Sequence, residues 1–167
     1  MNKAAIIISS LILLTQSNLF GQQANAKTDP IDFYTYQLDT TISKADSISF
    51  LLDSIHVKAY VQKNKIIATC LFEKSKSLLT IYLYSKDNNL VAAKVQEQCP
   101  TMDDLHNYAS FYYDKGKLLD NKYRWTVRPC MAVPMDKSIY ELYGYNPNLN
   151  GDFLKKFVVL VYEKLKP

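Results

Sequence analysis

The sequence predicts an α+β fold: an N-terminal helix packed on an antiparallel β-meander, with a C-terminal helix. Three observations predict it. Apolar residues recur at steps of three and four up to Ile55 and then at steps of two, a hairpin-like stretch appears three times, and a helical stripe returns near the C-terminus. The 167 residues are 48% hydrophobic and 22% charged, too apolar for a disordered chain and of a length that suits one compact domain. The composition is nevertheless lopsided, with 13 Tyr against 4 Gly.

Residues 1–26 hold Lys3, an apolar run from Ala4 to Leu14, a polar stretch and then Ala24-Asn25-Ala26, the three parts of a secretory signal peptide. The apolar run is about half of the roughly 20 residues that a spanning helix needs, so no membrane anchor is expected after cleavage. Cleavage is predicted after Ala26, with a cut near Gly21 as the rival, and no Cys lies nearby to accept a lipid. An exported protein, periplasmic or secreted, is the expectation. Residues 27–40 then read as a polar lead and 41–167 as a single α+β domain.

The first element is expected at Thr41 to Ile55, where Ile42, Ala45, Ile48, Leu51, Leu52 and Ile55 fall on one helical stripe and Asp39, Thr40 or Thr41 can cap it. Strands follow. Val57, Ala59 and Val61 alternate with Lys58 and Tyr60, Leu79, Ile81 and Leu83 with Thr80, Tyr82 and Tyr84, and Tyr123, Trp125 and Val127 with Arg124, Thr126 and Arg128. The segments Tyr60–Ile67 and Tyr112–Leu119 match position by position, and Leu83–Val91 is a looser copy one residue longer. Asn64 and Gly116 sit where a tight hairpin asks for positive φ, so the repeat predicts hairpins. A short helical turn is expected over Lys137–Tyr143 and a helix over Phe153–Leu165, capped by Asn150 or Asp152; its Val158-Val159-Leu160-Val161 core could equally form a strand.

Export makes the cysteines candidates for oxidation, and three of them allow one internal bridge at most. Cys70 alternates with Ile66, Ala68 and Phe72 and reads as a buried thiol. Cys99 and Cys130 each stand beside a proline where loops begin, and they are the predicted pair; three reduced thiols are the alternative.

Sorting the strands by parity separates two faces. One is apolar. The other carries Lys58, Tyr60, Thr80, Tyr82, Tyr84, Lys94, Gln96, Arg124, Thr126 and Arg128, joined by Ser110 and Tyr112, and has no carboxylate. Tyr60, Tyr82, Tyr84, Tyr112, Arg124 and Arg128 are the candidate partner-binding residues, since Tyr and Arg are enriched where proteins bind one another. The competing explanation is that Tyr and Thr suit exposed strands and Lys keeps them soluble.

Catalytic signatures are absent from the sequence. No Cys-x-x-Cys, Gly-x-Ser-x-Gly or phosphate-cradling glycine loop occurs, and no cofactor is implied. His106 near Asp103 and Asp104 lacks further ligands for a metal, and those residues read as a solvated loop opening a helical turn. A Cys70–His56 dyad would need an accessible thiol. With 18 Lys and 2 Arg, a nucleic-acid partner is not expected.

The predicted helix at 41–55 and the hairpin copies at 60–67, 83–91 and 112–119 together resemble the small exported PepSY-like and β-lactamase-inhibitor-like domains. The resemblance implies non-enzymatic binding of another envelope or extracellular protein, often as an inhibitor, and transfers no functional residue. A small cone-shaped α+β enzyme, with a His or Asp general base in an internal pocket, is the alternative expectation.

Overall fold

The structure is a computed structural model that describes residues 28–41, 44–102, 104–125 and 143–166. Helix α1 (Asp29–Thr40) precedes seven strands: β1 (Asp46–Leu52), β2 (Ile55–Val61), β3 (Lys65–Phe72), β4 (Ser77–Lys86), β5 (Asn89–Gln98), β6 (His106–Asp114) and β7 (Lys117–Trp125). Helix α2 (Gly151–Leu165) follows. The strands lie side by side in chain order, each antiparallel to the next, so the sheet is a meander with every strand pairing local.

The three copied segments are the β2–β3, β4–β5 and β6–β7 hairpins. Asp87 and Asn88 take positive φ in the second, Lys115 and Gly116 in the third. Those angles match the right-handed twist of the strands that they join. Asn64 does not take positive φ. Its hairpin has three loop residues, closed by a Gln62 N–H to Lys65 O bond of 2.9 Å, and a longer loop does not require the mirror-image turn. The Asn64 carbonyl instead accepts from Ser85 N at 2.9 Å, beside the register shift between Tyr84 and Ser85 in β4.

The helix predicted at 41–55 is not formed. Residues 46–52 are β1, and Asp53-Ser54 turns directly into β2. Ile48, Phe50 and Leu52 also alternate at period two, and Ser, Ile, Phe and Asp are indifferent helix formers, so pairing with β2 decides between two readings of the same residues. The segment read as a polar lead carries the helix instead. Pro30 stands in its first turn, Asp29 and Asp32 meet the positive end of its dipole, and the Thr28 carbonyl accepts from Ile31 N and Asp32 N.

Helix α2 begins two residues before the expected Phe153, at Gly151, with the Asn150 side chain accepting from Asp152 N at 3.1 Å and Phe153 N at 3.0 Å. Leu154, Phe157, Val158, Val161, Tyr162 and Leu165 are buried in one cluster with Val57, Ala59, Ile66, Ala68, Cys70, Leu79, Ile81, Leu83, Val95 and Phe111 of the sheet. This is the predicted apolar parity, and it defines the inner face. A second, smaller cluster joins Cys99 and Leu105 of the β5–β6 connection to Tyr143 and Tyr145. His106, expected in a loop, is the first residue of β6. The signal-peptide expectation at 1–26, Arg128, Cys130 and most of the turn predicted over 137–143 fall outside the described residues.

Candidate functional site: the outer face of the sheet

Strand registers order the outer face into rows. Tyr60, Ile67, Tyr82, Lys94, Ser110 and Lys122 are successive partners across β2 to β7, and Lys58, Thr69, Thr80, Gln96, Tyr108 and Arg124 form the next row. Neither row contains a carboxylate. The cations lie against the aromatic rings: Arg124 is 4.8 Å above Tyr108, Lys58 5.6 Å from Tyr60 and Lys122 4.9 Å from Tyr112. Tyr108 and Lys122 escaped the sequence reading, although each stands two positions from a residue placed on this face, at Ser110 and Arg124.

The six candidate residues do not share one environment. Tyr60 and Arg124 are exposed and Tyr82 is half-buried. Tyr84 and Tyr112, at 1% and 4% exposure, are closed off. Both belong to the row Lys65, Tyr84, Ala92, Tyr112 and Asp120, and both donate to carboxylates of α1. Tyr84 Oη donates to Asp39 Oδ1 at 2.9 Å, and Tyr112 Oη to Asp32 Oδ1 at 2.9 Å. Burial first, and then the adjacent carboxylate, hold both phenols far above the ordinary tyrosine range. Both act as hydrogen-bond donors to α1, and these bonds correct their expected place on an open partner-binding face.

Lysines complete the contacts. Lys65 Nζ is 2.7 Å from Asp39 Oδ1 and Lys94 Nζ 3.9 Å from Asp39 Oδ2, while Lys94 also donates to Thr35 Oγ1 at 2.9 Å. Lys122 Nζ is 4.0 Å from Asp32 Oδ2 and donates to Thr28 Oγ1 at 3.3 Å. Tyr34 Oη donates to the Ser85 carbonyl at 2.7 Å.

Beside Asp39 the outer face opens into a cleft of about 400 Å³, lined by Asp39, Lys65, Tyr82, Tyr84, Lys94, Val95, Gln96 and Tyr108. Its floor offers half-buried aromatic rings and an amide, and its walls two ammonium groups facing one carboxylate. Arg124, stacked on Tyr108, extends the cationic side. Such a surface can hold a planar or acidic group by stacking and by charge-assisted hydrogen bonds.

The remaining chemical candidates are separated by the sheet. Cys70 is fully buried on the inner face, and burial pushes its thiol up to about 12, whereas the register puts His56 on the outer face, opposite Leu71. The dyad is therefore not assembled. His56 Nε2 lies 2.5 Å from Glu73 Oε1, and both side chains are more than half exposed. A small, partly open cavity of about 40 Å³ near the start of α2 is lined by Glu97, Asn107, Tyr123, Asn150 and Gly151 with mostly apolar neighbours, and no histidine lines it. Gly151 allows this close approach, because a Cβ there would collide with the Tyr123 hydroxyl. Burial raises the Glu97 carboxyl, partly offset by bonds from Asn107 Nδ2 at 3.3 Å and Asn146 N at 3.4 Å.

Cys99 is a buried free thiol that donates to the Tyr143 carbonyl at 3.4 Å, and its predicted partner Cys130 is outside the described residues. Among the described residues no three His, Cys, Asp or Glu side chains gather as a metal site, and no helix is long and apolar enough to cross a membrane. Comparison with known proteins finds no matching family model, no similar curated protein and no similar solved structure.

Proposed function

We propose that the chain is an exported binding module that recognises another envelope or extracellular protein through the outer face of its sheet, as an inhibitor or accessory protein. The cleft beside Asp39 carries this reading: Tyr82 and Tyr108 present aromatic area with few torsions to freeze, and Lys65, Lys94 and Arg124 outnumber the single carboxylate at its edge. The partner's contacting surface is accordingly acidic. Helix α1, bonded through Asp32, Thr35 and Asp39, covers the Tyr84–Tyr112 row and engages Lys94 and Lys122 of the next, leaving the Tyr82 and Tyr108 rings and Arg124 to the partner. The export signal supports the setting, since cleavage after Ala26 spares Thr28, the buried residue that starts α1. The resemblance to PepSY-like and β-lactamase-inhibitor-like domains now rests on the three hairpins, with the helix lying before residue 41.

Capture from the source organism's envelope and culture medium tests the reading. The mature chain is compared with a variant carrying Tyr82→Ser, Tyr108→Ser and Arg124→Ser, whose folding is checked by circular dichroism. Tyr84 is left intact because its hydroxyl is bonded to Asp39. A protein retained by the wild type and lost by the folded variant is the expected result; equal retention by both would remove the outer face from the binding function.

A further inference from the structure

We propose that α1 is a displaceable internal occupant of the outer face, and that the external partner presents an acidic helix with two carboxylates seven residues apart. The proposal rests on the binding-module reading and names the chemistry of its partner. Asp32 and Asp39 are seven positions apart in one helix, so they project from the same side at a separation of about 10 Å. Each enters a socket made of one buried tyrosine hydroxyl and a lysine: Tyr112 with Lys122 for Asp32, Tyr84 with Lys65 for Asp39. Tyr84 and Tyr112 occupy a single row, on β4 and β6, with Ala92 of β5 between them. Two strand spacings amount to about 10 Å, the same as two turns of helix, so a helix lying across the strands reaches both sockets at once.

The sockets are specific for charge while the grip on α1 is weak. Thr28 and Thr35 are the fully covered residues at the start and middle of α1, Ile31, Tyr34 and Leu38 are half-buried, and Phe33 and Tyr36 are 64% and 65% exposed. Apolar burial therefore holds this helix less than it holds α2, which buries six side chains, and ion pairs near water contribute modestly. An incoming helix with the same carboxylate spacing makes the bonds that Asp32 and Asp39 make, and a better apolar contact beside Tyr82 and Tyr108 offsets the loss of those from Thr28, Tyr34 and Thr35.

The probe is a fluorescein-labelled, end-capped peptide of residues 28–41, measured by anisotropy against the full mature chain. Against the wild type, whose sockets are filled, binding is weak. The Asp32→Asn/Asp39→Asn chain is expected to bind the peptide at least about tenfold more tightly, because its sockets no longer carry that occupancy cost. The same peptide with Asn at both Asp positions is expected to lose this gain. Equal binding to the two chains, equal binding of the two peptides, or no binding to a variant that retains its β-sheet dichroism overturns the proposal. So does a dimeric double variant in light scattering, which would mean exchange of α1 between copies. If the double variant does not fold, Asp39→Asn alone gives the same readout. Peptide exchange without envelope capture would overturn the binding-module reading alone, and capture without peptide exchange would overturn this inference alone.

Discussion

The two helices attach to opposite faces of one sheet by opposite means. Helix α2 sets Leu154, Phe157, Val158, Val161 and Leu165 into a cluster shared with five strands, so area removed from water holds it. Helix α1 reaches the other face with Asp32, Thr35 and Asp39, and leaves Phe33 and Tyr36 in solvent. Burial by area is indifferent to moderate salt, whereas partly exposed pairs are screened within about 10 Å at 0.1 M ionic strength. The inner contact is therefore held by area and the outer one by charge and hydrogen bonds. Substitutions on the outer side are accordingly expected to perturb the fold less than those on the inner side.

Substitution at the inner face has the largest expected effect. Phe157→Ala removes a buried ring that touches Phe72 and Phe153, and should cost about 3–5 kcal/mol in denaturant unfolding, with salt making little difference. A loss under about 1 kcal/mol would contradict the role given to α2.

Asp39→Asn comes next and should act locally. It weakens the acceptor for the buried Tyr84 hydroxyl and for Lys65, at a cost of about 1–2 kcal/mol. Amide exchange in α1 should accelerate while exchange in β3 to β6 is unchanged, and added salt should produce the same acceleration in the wild type. Uniform acceleration across the sheet would show that α1 belongs to the core after all.

Glu97 is the charged exception on the inner face. Burial raises its carboxyl in the folded chain, which therefore holds a proton over a pH range in which the unfolded chain has released it. The associated stability is full below the ordinary glutamate range and is lost as pH rises through the raised folded value. Glu97→Gln should flatten this decline and, at neutral pH, stabilise by about 1 kcal/mol, since an amide can also donate to the unpaired Asn107 Oδ1. A pH profile identical to the wild type would remove Glu97 from the account. The smallest effect is expected for Phe33→Ser with Tyr36→Ser, within about 0.5 kcal/mol on unfolding. A larger loss would mean that these rings are covered.

The hairpins were legible because their signals are local: Asp87-Asn88 and Lys115-Gly116 carry their own turn geometry. So was α2, whose stripe faces a single apolar partner. Helix α1 was missed because its inward side is polar, and a search for an apolar stripe passes over Thr28, Asp32, Thr35 and Asp39. Its Pro30 and first-turn aspartates were the available signal. Residues 46–52 satisfied both periods, and nothing within them chooses between helix and strand.

Sequence alone therefore determined the meander, the inner-face parity and the cationic, aromatic character of the outer face, since each follows from neighbours within a few positions. Only the tertiary structure decided that 46–52 is a strand, that Tyr84 and Tyr112 serve α1 rather than solvent, and that Tyr108 joins Tyr82 in the open cleft. Those outcomes depend on groups brought together from 45 and 80 positions apart for the tyrosine bonds, and pairing over such distances is settled by competition among whole surfaces rather than by any local pattern.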